Sequence, residues 1–143
     1  MNSTADRVKT LLRDIKQDTQ HYDALTALLQ QQREAMIACD ALNLQSVNEK
    51  LLAIYQQLHG SAQRRSETLQ ALKLASDSRG ISQLLPYLPA ALAQQAESWW
   101  RTLELSALAC QQMNERNGLL LSMQQETLSS LTGQGQQNFL YQR

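Results

Sequence analysis

The residues best suited to chemistry in this chain are two histidines, two cysteines and scattered carboxylates. Asp18 and His21 have the carboxylate-x-x-histidine spacing of di-iron helical bundles, but such a site needs this pair twice and two further glutamates on facing helices. His59 has no carboxylate three residues before it, and neither Cys39 nor Cys110 lies near a histidine or in a Cys-x-x-Cys pair. We therefore expect no metal site and no cofactor.

Motifs of catalysis and phosphate binding are also missing from the sequence. There is no glycine-rich phosphate loop and no Gly-x-Ser-x-Gly nucleophile turn. No nucleophile has an acid or base near it in the sequence. We therefore expect a protein that is not an enzyme, with both histidines as solvated or half-buried helix residues. Cys39 and Cys110 are expected to be reduced and part-buried in the core.

Charge and hydropathy exclude two further classes of function. Thirteen basic residues balance thirteen acidic ones, and no basic patch indicates nucleic acid binding. No apolar run approaches the 18 or so residues that would indicate membrane insertion. The first residues lead into a charged amphipathic pattern rather than a signal peptide, so the expected location is the cytoplasm.

The composition favours helices. Leu, Ala and Gln dominate, while there are two prolines and five glycines, and aromatic residues make up 5% of the chain. In the first segment, predicted as a helix from Thr4 to Ala38, apolar or aromatic residues recur every seventh position at Val8, Ile15, Tyr22, Leu29 and Met36. This repeat favours coiled-coil-like packing, and the interruption of the companion seam by Asp18 and Gln32 indicates a bundle rather than a two-stranded zipper.

Three more helices complete the expected fold. The second starts at Asp40, at Asn43 or at the capping-box spacing from Ser46, and runs to about Ala75. A short helix covers residues 81–88, and a long one runs from Ala90 to Leu131, where residues 132–135 are expected to stop it. The predicted fold is all-α: an antiparallel, coiled-coil-like bundle of three long helices plus one short helix. Residues 1–131 would form one domain and residues 132–143 a flexible C-terminal tail.

The last helix is predicted to be longer than the other two long helices, so it should extend beyond them at one end. The overhang is expected near residues 119–131. It would leave these apolar side chains without a full set of partners: Leu119, Leu120, Leu121, Met123, Leu128 and Leu131. Exposed apolar surface marks a binding site. The alternatives are that the short helix or a second copy of the chain covers it.

Two features of the long helix have more than one interpretation. Asn114, Asn117 and Gly118 would form either a polar layer that fixes the register of the bundle or a notch where a ligand docks. Trp99 and Trp100 point about 100° apart around a helix, so we expect one ring in the core and the other partly exposed.

Short motifs in order along the chain resemble those of a known family. Cys110 to Leu120 resembles an Asn-x-x-Asn-Gly-x-Leu signature, here at Asn114, Asn117 and Gly118, with a late Tyr in the tail. Other matching pieces are Gln32-Arg33-Glu34-Ala35-Met36, Asp40-Ala41-Leu42-Asn43-Leu44, Lys50-Leu51-Leu52 and Arg64-Arg65. Together they are similar to the FlgN family of flagellar export chaperones.

The resemblance implies a cytoplasmic type III export chaperone. It would bind the C-terminal helical segments of hook-filament junction proteins, prevent their premature assembly, and deliver them to the export gate and the export ATPase complex. The helix that follows Asn114, Asn117 and Gly118 would bind the client, and Tyr141 would contact the export gate. Whether the free chain is a monomer or a homodimer is left open. The alternative function is a structural coiled-coil adaptor that works as a constitutive oligomer.

Overall fold

The structure, a computed structural model, describes residues 3–141, with side chains described for residues 3–132. The elements are α1 (Thr4–Ile37), α2 (Ala41–Ala71), α3 (Ser78–Leu84), a single 3-10 turn (Leu85–Tyr87) and α4 (Ala90–Tyr141). Across residues 3–141 there is no strand. The predicted all-α class, with three long helices and one short one, is therefore confirmed.

Side-chain caps define where the first three helices begin. The Ser3 hydroxyl accepts a hydrogen bond from the Asp6 amide at 3.1 Å, and the Asp40 carboxylate accepts one from the Asn43 amide at 3.1 Å. Asp77 caps α3 in the same manner. Because a cap satisfies an amide that has no partner inside the helix, Asp40 is the residue that sets the start of α2.

The first two helices end in the same kind of turn. Cys39 and Lys73, each the second residue after its helix, have positive φ angles of 56° and 60°. In both turns an amide reaches back to close a Schellman motif. The closing hydrogen bonds join Asp40 N to Ala35 O and Leu74 N to Leu69 O, both at 2.9 Å. This turn ends α2 at Ala71, four residues before the predicted end at Ala75.

The helix α1 packs against both other long helices. Three of its hydrogen bonds with α4 join residues that are 88 positions apart in the sequence: Tyr22–Cys110, Leu29–Asn117 and Met36–Gln124. These two helices therefore run parallel. In the contacts with α2, later residues of α1 meet earlier residues of α2, so these two helices are antiparallel. The pairs are Asp14–Arg64, Asp18–Ser61 and Gln32–Asn48. The result is the expected up-down-up arrangement, with α1 as the shared helix.

Two apolar clusters fill the bundle. The one beside α3 consists of Leu11, Ile15, Leu69, Ile81, Leu84 and Leu103. The other consists of Leu25, Leu29, Val47, Leu51 and Cys110. The predicted seven-residue repeat of α1 lies on this core, since Ile15, Leu29 and Met36 are buried. One cysteine prediction was wrong: Cys110 is buried, but Cys39 is exposed, because it occupies the left-handed turn between α1 and α2.

A close approach at Gly80 places α3 on the bundle. A Cβ atom at Gly80 would lie 1.7 Å from the Ala75 carbonyl oxygen, so only glycine lets α3 pack this tightly on the segment that follows α2. The helix begins at Ser78, directly after its Asp77 cap, and not at Ile81 as predicted. It closes one end of the bundle by burying Ile81 and Leu84.

The end of α4 differs from the sequence prediction. The helix continues to Tyr141, ten residues beyond the predicted end at Leu131. Gly133 and Gly135 therefore do not stop it, because glycine inside a helix costs only about 1 kcal/mol and does not forbid it. The division into a domain of residues 1–131 and a flexible tail of residues 132–143 stays a prediction. No helix in the described part of the chain has an apolar stretch long enough to span a bilayer.

Candidate functional site

The long helix α4 extends well past its partner. It has 52 residues against 34 in α1, or about 78 Å against about 51 Å. Since Met36 lies beside Gln124, α1 ends just as α4 reaches residue 125. We call residues 125–141 of α4 the distal overhang. The sequence predicted the overhang at residues 119–131, so it starts about two turns later than expected. Its starting point depends on the axial register between α1 and α4, which periodicity does not predict.

Apolar side chains are bare along this end of α4. The exposed fraction is 64% for Leu128 and 63% for Leu131, while Leu121 is exposed and Leu120 is half-buried. Leu121, Leu128 and Leu131 lie within about 80° of one another around the helix axis, and we call them the distal apolar face. Leu119 and Met123 are exposed as well, but they point to other sides of α4. Within the described residues, neither α3 nor any other segment covers it.

The exposure of Leu131 has a simple cause. Every seventh residue of α4 faces α1, and this seam runs through Ala96, Leu103, Cys110, Asn117 and Gln124. Leu131 is the next residue of the seam, but α1 has already ended at Ile37. Leu131 therefore occupies a position that would pack against α1, but no part of α1 extends far enough to contact it.

Two more exposed apolar residues lie at the same end of the bundle. Ile37 ends α1 and Leu42 lies in the first turn of α2, and their exposed fractions are 62% and 83%. Sequence reasoning missed both as surface candidates. The available signal was their position on either side of the break at Cys39 and Asp40, where side chains leave the packed stripe of a helix.

The predicted group Asn114, Asn117 and Gly118 divides into separate roles. Asn117 is 4% exposed, and its amide donates hydrogen bonds to the Leu29 carbonyl oxygen at 2.8 Å and to Gln32 Oε1 at 3.0 Å. Asn114 is exposed. Gly118 is exposed too, and a Cβ atom there would meet nothing within 4 Å. For Asn117 the geometry supports the register interpretation, whereas no close contact in the described residues requires glycine at 118.

A chain of side-chain amides connects the three long helices just before the overhang. Gln32 accepts from Asn117 and donates through Nε2 to Asn48 Oδ1 at 2.8 Å. Further along, Gln124 Nε2 donates at 2.9 Å to the Met36 carbonyl oxygen at the end of α1, which also accepts from the Cys39 amide at 3.2 Å. The overhang thus projects from a part of the bundle whose register is fixed by specific hydrogen bonds.

A second polar network crosses the other half of the bundle. Asp18 is buried and accepts a 2.6 Å hydrogen bond from the Ser61 hydroxyl, with Arg65 Nη1 3.7 Å from its carboxylate. Burial raises the pKa of Asp18 above its usual value of 3.8, against the opposing effects of Ser61 and Arg65. Burial also lowers the pKa of the Arg65 guanidinium. The sequence located this network as the break in the apolar seam at Asp18.

The two tryptophans differ from the expectation that one would be core. Both are half-buried. Lys16 lies over the Trp99 ring at 5.6 Å, and the Arg65 guanidinium lies over the Trp100 ring at 5.1 Å. Adjacent positions on α4 therefore face α1 and α2 respectively, and each ring meets a cation instead of a fully apolar pocket.

Tyr141, the predicted export-gate contact, is the last residue of α4, and its side chain lies outside the described residues. Among the residues that are described, no group of three or more His, Cys, Asp or Glu side chains could hold a metal ion. What the described arrangement does offer is a long helix with bare leucines, a surface suited to binding another helix.

Comparison with known proteins bears on the identity of the chain. Neither the curated proteins nor the solved structures gave a match. The family model described as FlgN protein matches residues 1–143, the whole chain. The all-helical fold is in accord with the resemblance noted in the sequence. The chain therefore belongs to the FlgN family, the family of flagellar export chaperones.

Proposed function

We propose that this FlgN-family protein is a cytoplasmic chaperone that binds the C-terminal helical segments of hook-filament junction proteins. It would keep them from assembling early and deliver them to the type III export gate. The observation that supports the proposal is the distal apolar face, where Leu128 and Leu131 are bare on a helix that has outlasted its partner. A client helix would supply the partner that α1 no longer provides.

The client helix would bury the leucines that are now exposed. Full burial of a leucine side chain is worth about 1.5–3 kcal/mol, and part of that gain is offset by the loss of freedom on association. The few leucines of the distal apolar face suit an affinity near micromolar, about 8 kcal/mol, which permits release of the client. Gly118, with open space where a Cβ would lie, would let the client backbone approach, with the Asn114 amide exposed beside it.

The end of α4 would serve delivery. We assign Tyr141 to contact with the export gate, and the export ATPase complex is the other expected partner. Because α4 reaches Tyr141 as one helix, client binding at Leu128 and gate contact at Tyr141 would lie on the same element. A client bound on the overhang would thus be held next to the gate.

The test compares two substitutions on α4. Leu128→Asp should weaken binding of a junction-protein C-terminal helix about a hundredfold, because it loses apolar burial and places a charge in the interface. Leu105→Asp is the matched control, since Leu105 is 70% exposed on the same helix but lies within the bundle, away from the overhang. Titration calorimetry measures both, after circular dichroism has shown equal helicity.

Unchanged client binding by folded Leu128→Asp would contradict the proposed site. Equal loss in both variants would show that the effect is not specific to the distal apolar face. Sedimentation separates the chaperone from the structural adaptor: a constitutive oligomer stays assembled at low micromolar concentration, while a chaperone keeps the face available for its client.

A further inference from the structure

An apolar pocket lies at the end of the bundle opposite the distal overhang. Its volume is about 620 Å³, and it is lined by the start of α1, the residues after α2, the end of α3 with the 3-10 turn, and the start of α4. Its main apolar walls are Val8, Leu12, Leu72, Leu84, Leu88 and Leu92. A pocket of this size and lining is typical of a binding site. We call it the proximal pocket.

Positive charge lies along one wall of the proximal pocket. Lys9 is the charged residue among those that line it. Arg13 and Lys16 follow at the helical spacings that place them on the same face of α1, and all three are exposed. None of the three takes part in an ion pair within the part of the chain whose side chains are described. We call them the basic stripe.

Few carboxylates offset the basic stripe. In the first thirteen residues of α1 the acidic side chains are Asp6 and Asp14, and Asp14 is paired with Arg64 at 2.9 Å. The N-terminal end of α1, where the helix dipole is positive, lies at the same pocket wall through Thr4 and Ala5. The apolar cavity is therefore bordered by a surface that attracts negative charge.

We propose that the proximal pocket and the basic stripe form a second docking surface, for an acidic amphipathic helix of a partner protein. Apolar side chains of that helix would enter the pocket, and carboxylates one and two turns further along would meet Arg13 and Lys16. The stripe from Lys9 to Lys16 covers about 10 Å, which matches two turns of a helix. Charge complementarity of this kind selects the partner and speeds its association.

The two surfaces differ in chemistry as well as position. From Asn117 to Tyr141, α4 has a single charged residue, Glu126, so the distal apolar face has no basic stripe beside it on its own helix. A partner chosen by negative charge should therefore prefer the proximal pocket. The inference does not depend on the identity of the client.

The experiment uses the full chain and two synthetic peptides. One peptide is a short amphipathic helix with leucines on one face and glutamates on the other, and the second has lysine in place of every glutamate. Fluorescence anisotropy should show the glutamate peptide binding at least about tenfold more tightly than the lysine peptide. Lys9→Glu should weaken the glutamate peptide about tenfold, and Ala5→Trp, which fills the pocket from an exposed position, should weaken it further.

Leu128→Asp is the control that separates this inference from the proposed function, because it should leave binding of the glutamate peptide unchanged. Equal affinity for the two peptides, or loss of binding with Leu128→Asp but not with Lys9→Glu, would overturn the inference. Self-association that Ala5→Trp abolishes would overturn it in favour of a second copy. Binding to anionic vesicles without binding to the glutamate peptide would overturn it in favour of a lipid surface.

Discussion

Asp18 is a buried carboxylate whose protonation is coupled to the stability of the bundle. Burial raises its pKa in the folded chain above the usual 3.8. The folded state therefore holds this proton more tightly than the unfolded state, and the contribution of Asp18 to the free energy of unfolding increases as the pH falls through the raised pKa. Asp77 has the opposite sign, because its hydrogen bonds with Arg79 lower its pKa.

We expect the pH to separate these two aspartates. As the pH falls from 7 to about 3, the free energy of unfolding of wild type should increase relative to that of Asp18→Asn, because protonation removes the buried charge of Asp18. Over the same pH range, the free energy of unfolding of wild type should decrease relative to that of Asp77→Asn. Urea denaturation at each pH gives both differences. A constant Asp18 difference across this range would contradict the assignment.

Cys39 has a backbone conformation that favours glycine. Its φ of 56° lies in the left-handed region, where a side chain costs about 1 kcal/mol or more. Cys39→Gly should therefore raise the free energy of unfolding by about 1 kcal/mol, as measured by urea denaturation. Ala38→Gly is the matched control: Ala38 has φ −78°, so this change should bring no gain. Destabilisation by Cys39→Gly would contradict the expectation.

At the scale of the element, the seam of α4 changes character along its length. Ala96, Leu103 and Cys110 are apolar or weakly polar, whereas Asn117 and Gln124 bond to the α1 backbone. The buried Asn117 amide finds its hydrogen-bond partners only when α1 and α4 have one particular axial alignment. It therefore fixes the register more strictly than apolar packing does alone. The point where the distal overhang begins therefore depends on these two side chains.

Substitution of the two asparagines should show this difference. Asn117→Ala should lower the free energy of unfolding by about 1–3 kcal/mol, since it removes two hydrogen bonds from a buried site and leaves Gln32 with one partner fewer. Asn114→Ala, three residues away and exposed, should change it by less than about 0.5 kcal/mol. Thermal and urea denaturation measure both. Equal effects would contradict the register role of Asn117.

At the scale of the whole molecule, the bundle and the distal overhang are separable. Contacts with α1 continue to Gln124, so a chain that ends there keeps every described hydrogen bond between α1 and α4. A chain that ends at Arg116 loses the contacts of Asn117 and Gln124. Folding and client capture should therefore depend on different lengths of α4.

Truncation tests this separation. The chain ending at Gln124 should unfold within a few degrees of the full chain, because few buried contacts are lost, yet it should no longer capture the client. The chain ending at Arg116 should have a clearly lower Tm. Calorimetric unfolding gives the Tm values, and titration with a junction-protein helix gives binding. A large drop in Tm for the chain ending at Gln124 would show that the overhang belongs to the folded core.

The sequence by itself determined the helical class and the faces of the helices. The repeat through Ile15, Leu29 and Met36 identified the buried face of α1, because side chains at this spacing share one side of a helix. The interruptions at Asp18 and Gln32 marked the positions that now hold polar networks. The excess length of α4 and its leucines followed from counting residues.

Only the tertiary structure decided how the helices align along their axes. Periodicity gives the face of a helix but not its axial position against a neighbour, which depends on how side chains from different segments interlock. That alignment placed the start of the overhang at residue 125, buried Asn117 while exposing Asn114, and gave each tryptophan a cation. It also formed the proximal pocket, whose walls come from four separate stretches of the chain.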